Sequence, residues 1–244
     1  MKKLLLVLIF HPFILFSQGL SIISKDDYNK IPSVEINNSF GFAEITPDYY
    51  SLEKYVPVAI TQGSSSACTS FAAFYYGLST QFNSLLNISN SVDKIGSSFD
   101  PYYAYNLIIR EDETFDDYCN QSTSIYKVLD ILKTKGAKKQ FFSPHLECYS
   151  PTDINYSLSN YINSYAIDSY HKIPSLQSNS AINNIRYLIN SNKPVIFGMI
   201  TTKSLDNVTI NGYYSPSISE IEIINNFINQ TDMPSDEELN EFIK

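Results

Sequence analysis

The hydrophobic pattern of the chain predicts three helices. Each is a stretch in which apolar side chains recur every three or four residues, the spacing that places them on one helix face. In the first, which begins near Cys68, the apolar positions are Phe71, Phe74, Tyr75 and Leu78. In the second, they are Ile125, Val128, Leu129 and Leu132. In the third, they are Ile182, Ile185, Leu188 and Ile189.

Residues that favour helix ends bound the second and third stretches. The N-cap candidates of the second helix are residues 122–124, and Gly136 is its stop signal. Ser180 is the N-cap candidate of the third helix. The turn at residues 190–193 then leads into an apolar, β-branched run at residues 194–200, which predicts a buried strand. Residues 20–47, with isolated apolar side chains and two prolines, are expected to form an extended lead-in with one short strand.

The start of the chain has the pattern of a secretory signal peptide. Lys2 and Lys3 precede an apolar run at residues 4–16, and small or polar residues follow at positions 17–19. The run is too short, and too interrupted by His11 and Pro12, to span a bilayer. We therefore expect residues 1–19 to be a cleaved signal peptide. The mature protein would be secreted to the periplasm or the extracellular space, with no stable membrane insertion after cleavage.

Length and charge limit the number of domains and the class of partner. Residues 48–244 provide enough chain for one domain, or for two tightly packed subdomains that share a core. Asp and Glu number 25 against 17 Lys and Arg, which gives a formal net charge of −8 at pH 7. No block of basic residues is present in the sequence. Nucleic acid is therefore not expected as a partner.

The three cysteines form an odd set for an exported protein, in which most cysteines pair. The simplest arrangement pairs Cys119 with Cys148, which flank the second predicted helix, and leaves Cys68 as a free thiol. In the alternative arrangement all three cysteines are buried thiols.

Cys68 joins a loop of small residues to the start of the first predicted helix. The small side chains at positions 63–67 would let a substrate backbone approach the sulfur closely. A free thiol has a pKa of about 8.5, and a helix N-terminus together with an imidazolium lowers that pKa by several units. The side-chain amide of Gln62 can donate a hydrogen bond to an oxyanion on the attacked carbonyl. These residues predict half of an acyl-transfer site, and the structural alternative is an inert buried cysteine at a helix start.

The residues around this thiol resemble the papain-like cysteine peptidases of the bacterial, exported type. Gln62-Gly63, Cys68 and Phe71-Ala72 are similar to the family's Gln-Gly, nucleophilic Cys and core Phe, with the same spacing between Gln and Cys. Further segments similar to the family follow in the family's order, at residues 52–57, 99–105, 124–136, 143–145, 183–188, 193–195 and 212–214. The resemblance thus extends over residues 52–214.

The resemblance implies a fold and a mechanism for residues 48–244. The fold would be α+β and papain-like, with a helical left subdomain that carries Cys68 packed on an antiparallel β right subdomain that is incomplete in this chain. The Cys68 thiolate would attack a peptide carbonyl, with Gln62 and the backbone N–H of Cys68 as oxyanion donors. The resemblance therefore implies a thiol protease, a cysteine-type peptidase that carries out proteolysis on a peptide or protein substrate.

The histidine that the resemblance requires is missing from its expected place. In the family the general base follows the Gly-Ile-Tyr segment and an orienting Asn comes after it, yet no histidine follows Tyr214. His11 belongs to the leader, and neither His145 nor His171 occupies the family's position. Two interpretations follow. The chain is a truncated product that ends before the histidine segment, or it is a pseudoenzyme that retains the fold without the base.

The sequence predicts no metal or organic cofactor. No cluster of His, Cys, Asp and Glu has ligand spacing, and no glycine-rich phosphate loop follows a predicted strand. An alternative function is a catalytically inactive protein of the papain fold that serves as an exported binding or surface-interaction module. Tyrosine-rich exposed segments would supply its contacts, and Cys68 would be inert.

Overall fold

The computed structural model describes residues 23–34, 50–63, 65–110, 119, 121–139, 165–173 and 179–198. The chain forms two compact units, and every described residue except Gly198 belongs to the unit Gln18–Phe197. The helical elements of the described segments are α1 (Lys25–Lys30), a 3-10 turn (Glu53–Tyr55), α2 (Cys68–Ser70), a π-helix (Phe71–Leu78), α3 (Ser79–Leu85), α4 (Ser91–Ser97), α5 (Pro101–Arg110), α6 (Ile125–Thr134) and α7 (Asn179–Asn190). None of these helices has both the length and the apolar character needed to cross a lipid bilayer.

Helix α6 confirms the second predicted helix, including both of its ends. The hydroxyl of Ser124 accepts a hydrogen bond from the backbone N–H of Lys127 at 3.2 Å, which satisfies one of the N–H groups left free in a first helical turn. The apolar face is buried, with Val128 and Leu132 as its most enclosed side chains. Gly136 then takes a φ of 73°, a left-handed conformation that favours glycine and stops the helix.

The helix that begins at Cys68 is also confirmed, but it widens in the middle. Residues Phe71–Leu78 form a π-helix, whose i→i+5 hydrogen bonds are rare in proteins. At Gly77, a Cβ atom would lie 2.9 Å from the carbonyl oxygen of Ala72 and 3.2 Å from Cδ1 of Ile196. A side chain at position 77 would therefore clash with the carbonyl oxygen of Ala72 and press on the side chain of Ile196.

Two clusters of buried side chains make up the core of the described segments. One contains Ala73, Phe74, Phe99, Ala104, Val128, Ile131, Leu132 and Ala137. The other contains Ala67, Phe71, Tyr75, Tyr102, Tyr105 and Ile109. Both clusters take residues from α5 and from the helix that begins at Cys68, so burial of apolar surface fixes these two elements against each other.

A lysine is enclosed by aromatic rings at the edge of the first cluster. Nζ of Lys139 lies 3.4 Å from the ring centre of Phe82, 3.9 Å from that of Phe99 and 5.1 Å from that of Tyr165. It also donates a hydrogen bond to the carbonyl oxygen of Ser97. Burial disfavours the charged form and lowers the pKa of Lys139 to about 8.

The expected α+β, papain-like architecture is wrong. The described segments are helical and contain no β-strand, so they provide no antiparallel right subdomain for a helical left subdomain to pack on. The pairings of β type within these segments are isolated bridges, which join Ser33 to Lys172, Phe99 to Lys139, and Ala137 to Tyr165.

The buried strand predicted at residues 194–200 is absent from its described part, residues 194–198. Ile196 packs on Gly77 of the π-helix, while the neighbouring Phe197 is 69% exposed. An apolar, β-branched run specifies a strand only when another strand is available to pair with it, and hydropathy alone does not reveal the partner. Residues 199 and 200 lie outside the described segments.

The lead-in also differs from the extended conformation expected for it. Residues Lys25–Lys30 form α1, in which the hydroxyl of Ser24 caps the backbone N–H of Asp27. Asp27 forms an ion pair with Lys30 at 2.8 Å, one helical turn later. These local interactions stabilise a short helix that contributes no buried side chain to the core.

Candidate active site

Cys68 is a free, half-buried thiol at the first residue of α2. In the loop before it, Gly63 has a φ of 61°, a conformation that glycine adopts without steric cost. Ser66 and Ala67, which follow in this loop, are fully buried. The thiol is therefore placed where a buried loop becomes a helix, at the position that the sequence predicted for a nucleophile.

A triangle of polar atoms anchors this loop to α5. The backbone carbonyl of Gln62 accepts hydrogen bonds from the hydroxyl of Tyr102 at 2.8 Å and from the hydroxyl of Ser65 at 2.9 Å. The two hydroxyl oxygens are themselves 3.0 Å apart. Because Tyr102 is only 3% exposed, water competes little for these bonds.

The side chain of Gln62, the predicted oxyanion donor, is also held within the loop. Its Nε2 donates to the carbonyl oxygen of Ser65 at 3.0 Å. No hydrogen bond joins Gln62 to Cys68 in the described part of the chain. An amide nitrogen carries two hydrogens, so the bond to Ser65 leaves one N–H of Gln62 for another acceptor. The loop before the thiol thus holds the side-chain amide of Gln62 in place through its hydrogen bond to Ser65.

The electrostatic surroundings of Cys68 favour its neutral form. Burial raises the pKa of this thiol above that of an ordinary cysteine. The hydroxyl of Thr69, 3.9 Å from the sulfur, and the backbone N–H groups of Thr69 and Cys68 lower the pKa by less than burial raises it. Within the described residues, no imidazolium, ammonium or guanidinium group acts on this pKa. Cys68 therefore needs a cationic partner before it can react as a thiolate at neutral pH.

The residues around Cys68 are tied to the segment at 119–123. The backbone N–H of Ser66 donates to the carbonyl oxygen of Cys119 at 2.8 Å. The hydroxyl of Thr69 donates to the carbonyl oxygen of Thr123 at 2.9 Å. Cys119 is disulfide-bonded, which agrees with the predicted free state of Cys68, whereas Cys148 lies outside the described residues.

Sequence reasoning missed the side chains that hold this region together. Tyr102 binds the loop before the thiol, and Tyr105, one helical turn later, donates to the carbonyl oxygens of Cys119 and Gln121, each at 2.9 Å. Both tyrosines lie in the segment 99–105 that resembled a family helix. The sequence contained one signal for them, because two tyrosines three residues apart lie on the same face of a helix.

Of the remaining site candidates, only His171 can be located. It is exposed and lines an open depression of about 580 Å³ beside the end of α1. No hydrogen bond or electrostatic interaction connects it to Cys68 in the described segments. His145 and His11 lie outside the described residues.

The two lysines that line the depression at His171 each have a partner. Lys30 pairs with Asp27, and Lys172 donates to the carbonyl oxygen of Tyr28 at 2.8 Å. Within the described segments, no group of three His, Cys, Asp or Glu side chains could hold a metal ion.

Comparison with known proteins does not assign the chain to a family. No protein-family model matches the chain, and no curated protein matches it significantly. The assignment of the site therefore depends on the residues and contacts around Cys68.

Proposed function

We propose that the chain is an exported cysteine-type peptidase with Cys68 as its nucleophile. The observation that carries this proposal is the state of Cys68, a free thiol at the start of a helix in a chain whose Cys119 is disulfide-bonded. The spacing of Gln62, Cys68 and Phe71, which resembles the papain-like peptidases, supports the same chemistry. The apolar leader at residues 4–16 supports export.

The reaction would proceed through a thioester. The Cys68 thiolate attacks the carbonyl carbon of a peptide bond, and the oxyanion accepts hydrogen bonds from the free N–H of Gln62 and the backbone N–H of Cys68. Collapse of this intermediate breaks the C–N bond, and the amine leaves with a proton from the general acid. Water then hydrolyses the thioester, which releases the carboxylic acid and regenerates the thiol.

This mechanism requires an imidazole that reaches the sulfur. The raised pKa of Cys68 shows that the described surroundings alone do not activate the thiol. A neighbouring imidazolium would reverse this shift, because it stabilises the thiolate and later serves as the general acid. His171 lies in the depression beside α1 and does not act on the pKa of Cys68, so the peptidase proposal requires an imidazole other than His171 in its present position.

A second candidate function is an exported binding module with an inert thiol. Two observations favour it. Burial favours the neutral form of Cys68, and the amide of Gln62 is already engaged with the carbonyl oxygen of Ser65. Exposed tyrosines such as Tyr28 and Tyr50, which are 42% and 41% exposed, would supply contacts to a protein partner.

The experiment that separates these functions is the pH dependence of Cys68 alkylation. The purified chain is treated with iodoacetamide between about pH 4 and pH 9, and the rate is read by intact-mass spectrometry, with the pKa of about 8.5 for an unperturbed thiol as reference. A Cys68→Ala variant identifies the signal, because Cys119 is held in a disulfide. Hydrolysis of a mixed fluorogenic peptide library is measured on the same samples.

The two functions predict different profiles. A peptidase gives an inflection well below the reference pKa and peptide hydrolysis that Cys68→Ala abolishes, because an imidazolium stabilises the thiolate. A binding module gives an inflection at or above the reference pKa and no hydrolysis. That second result would contradict the peptidase proposal.

A further inference from the structure

Tyr102 contacts both the loop before Cys68 and the helix that begins at Cys68. Its hydroxyl donates to the carbonyl oxygen of Gln62 at 2.8 Å and lies 3.0 Å from the hydroxyl of Ser65. Its ring packs edge-to-face on Phe71, with ring centres 5.4 Å apart. Phe71 lies three residues after Cys68 in the same helical run, so one side chain links the donor loop to the helix of the nucleophile.

The position of the Tyr102 hydroxyl is fixed by its own helix. The backbone N–H of Tyr102 donates to Oδ1 of Asp100 at 2.9 Å, at the start of α5. Its ring also meets that of Tyr105 at a centre distance of 6.4 Å, and its side chain is 3% exposed. A side chain packed on two rings has few alternative rotamers, so its hydroxyl is a rigid anchor point.

The atom that Tyr102 anchors is the backbone carbonyl oxygen of Gln62, the residue whose side chain carries the proposed oxyanion donor. Tyr102 and Ser65 both bond the carbonyl of Gln62, and the carbonyl of Ser65 in turn holds one N–H of the Gln62 amide. An oxyanion donor contributes to catalysis only when it is oriented before the reaction. The orientation of the Gln62 amide therefore depends on the turn that Tyr102 fastens to α5.

We propose that Tyr102 is a positioning residue that fixes the Gln62 amide for the reaction at Cys68, an inference that rests on the proposed function. It acts through the carbonyl of Gln62 and the hydroxyl of Ser65. Tyr102→Phe is the matched test, because it keeps the ring packed on Phe71 and removes only the hydroxyl.

Tyr55→Phe is the control variant. Tyr55 is also buried, at 8% exposure, and its hydroxyl donates to Oδ1 of Asn87 at 3.1 Å, in contacts separate from the loop before Cys68. Both variants lose one tyrosine hydroxyl and keep their ring. A general loss of stability affects the two alike, whereas a loss of positioning affects only Tyr102→Phe.

Peptide turnover tests the proposal through a double-mutant cycle with Gln62→Ala. Loss of an oxyanion donor lowers kcat by about 10²–10³, and a donor that is loosely held loses part of that effect, so we expect Tyr102→Phe to lower kcat roughly tenfold with KM little changed. In the Gln62→Ala background the same substitution should have no further effect. The proposal is wrong if Tyr102→Phe lowers kcat as much in the Gln62→Ala background as in the wild type. It is also wrong if Tyr102→Phe alone leaves kcat unchanged.

Absence of peptide hydrolysis would contradict the proposed function. A second readout, which does not need turnover, tests the role of Tyr102 in that case. Solvent exchange of the Gln62 side-chain amide protons is measured by NMR in the wild type and in both variants. Tyr102→Phe should accelerate this exchange severalfold and Tyr55→Phe should leave it unchanged. Equal exchange rates in all three proteins would show that Tyr102 does not position Gln62.

Discussion

The backbone N–H of Ser66 lies 2.8 Å from the carbonyl oxygen of Cys119, so the loop before the free thiol is joined to a disulfide-bonded residue. The same carbonyl accepts a second hydrogen bond, from the hydroxyl of Tyr105. A covalent cross-link thus restrains the residue against which the loop is bonded.

Reduction of the disulfide should destabilise the protein. Removal of a native disulfide typically costs about 2–4 kcal/mol, because the unfolded chain regains conformational freedom. We expect the urea midpoint to fall when reductant is added. The Cys68→Ala variant should show the same fall, since its disulfide is intact. An unchanged midpoint in that variant would contradict a structural role for the disulfide at Cys119.

Gly77→Ala should destabilise the fold. The new Cβ would lie 2.9 Å from the carbonyl oxygen of Ala72 and 3.2 Å from Cδ1 of Ile196, so the backbone or the packed chain must shift. Overpacking of this kind costs about 1–3 kcal/mol. Measurement of the free energy of unfolding by urea titration would detect this loss.

Gly96→Ala in α4 is the matched control for Gly77→Ala. No atom lies within 4 Å of the Cβ position at Gly96, and the residue is helical. Alanine is favoured over glycine in helix interiors by about 0.5–1 kcal/mol, so this variant should be as stable as the wild type or more stable. Equal changes in stability from both substitutions would mean that the Cβ position at Gly77 is not crowded.

Lys139 should make stability depend on pH in the alkaline range. Its pKa is about 8 in the folded protein, whereas an unfolded lysine titrates near a pKa of about 10.4. Between these values the unfolded state binds more protons than the folded state, so the free energy of unfolding rises with pH. Below about pH 8 both states are protonated, and the buried ammonium then disfavours the fold.

Lys139→Met tests this dependence because it keeps the length of the side chain and removes the charge. The variant should be more stable than the wild type at pH 7, and the difference should shrink towards pH 10. Urea titrations at both pH values measure it, with the exposed Lys127→Met as control. A difference that does not vary with pH would contradict the lowered pKa, and it would mean that the aromatic rings fully compensate the burial of the ammonium.

Local signals were enough to predict three helical stretches, the one that begins at Cys68, α6 and α7, but not α1 or α4. The Ser124 cap and the Gly136 stop bound α6 as expected, and α7 extends over Asn179–Asn190 close to its predicted start at Ser180. The turn after α7 is confirmed by Asn192, whose φ of 59° is tolerated better by asparagine than by most residues. Caps and helical periodicity act over a few residues, so a single sequence contains them.

The rest of the fold and of the candidate site depends on contacts between residues that are distant in the sequence. The apolar run after α7 found no strand partner in the described segments and packed on Gly77 instead. The loop before Cys68 is held by Tyr102, which lies 40 residues away from Gln62 in the sequence. The free state of Cys68 could be predicted from the odd number of cysteines, but its raised pKa follows from burial, which only the packed structure shows.

The π-helix also bears on how this chain could have diverged from others. Each i→i+5 turn holds one residue more than an α-helical turn. A protein with the same thiol loop followed by an ordinary α-helix would therefore be at least one residue shorter within Phe71–Leu78. Loss of a single residue there would be absorbed by the change from i→i+5 to i→i+4 hydrogen bonds, so the face on which Ser79 and Phe82 pack would keep its place relative to Cys68. Insertions and deletions are normally confined to loops, but the π-helix gives this chain a place inside a helix where the length between the thiol and the core can change by one residue.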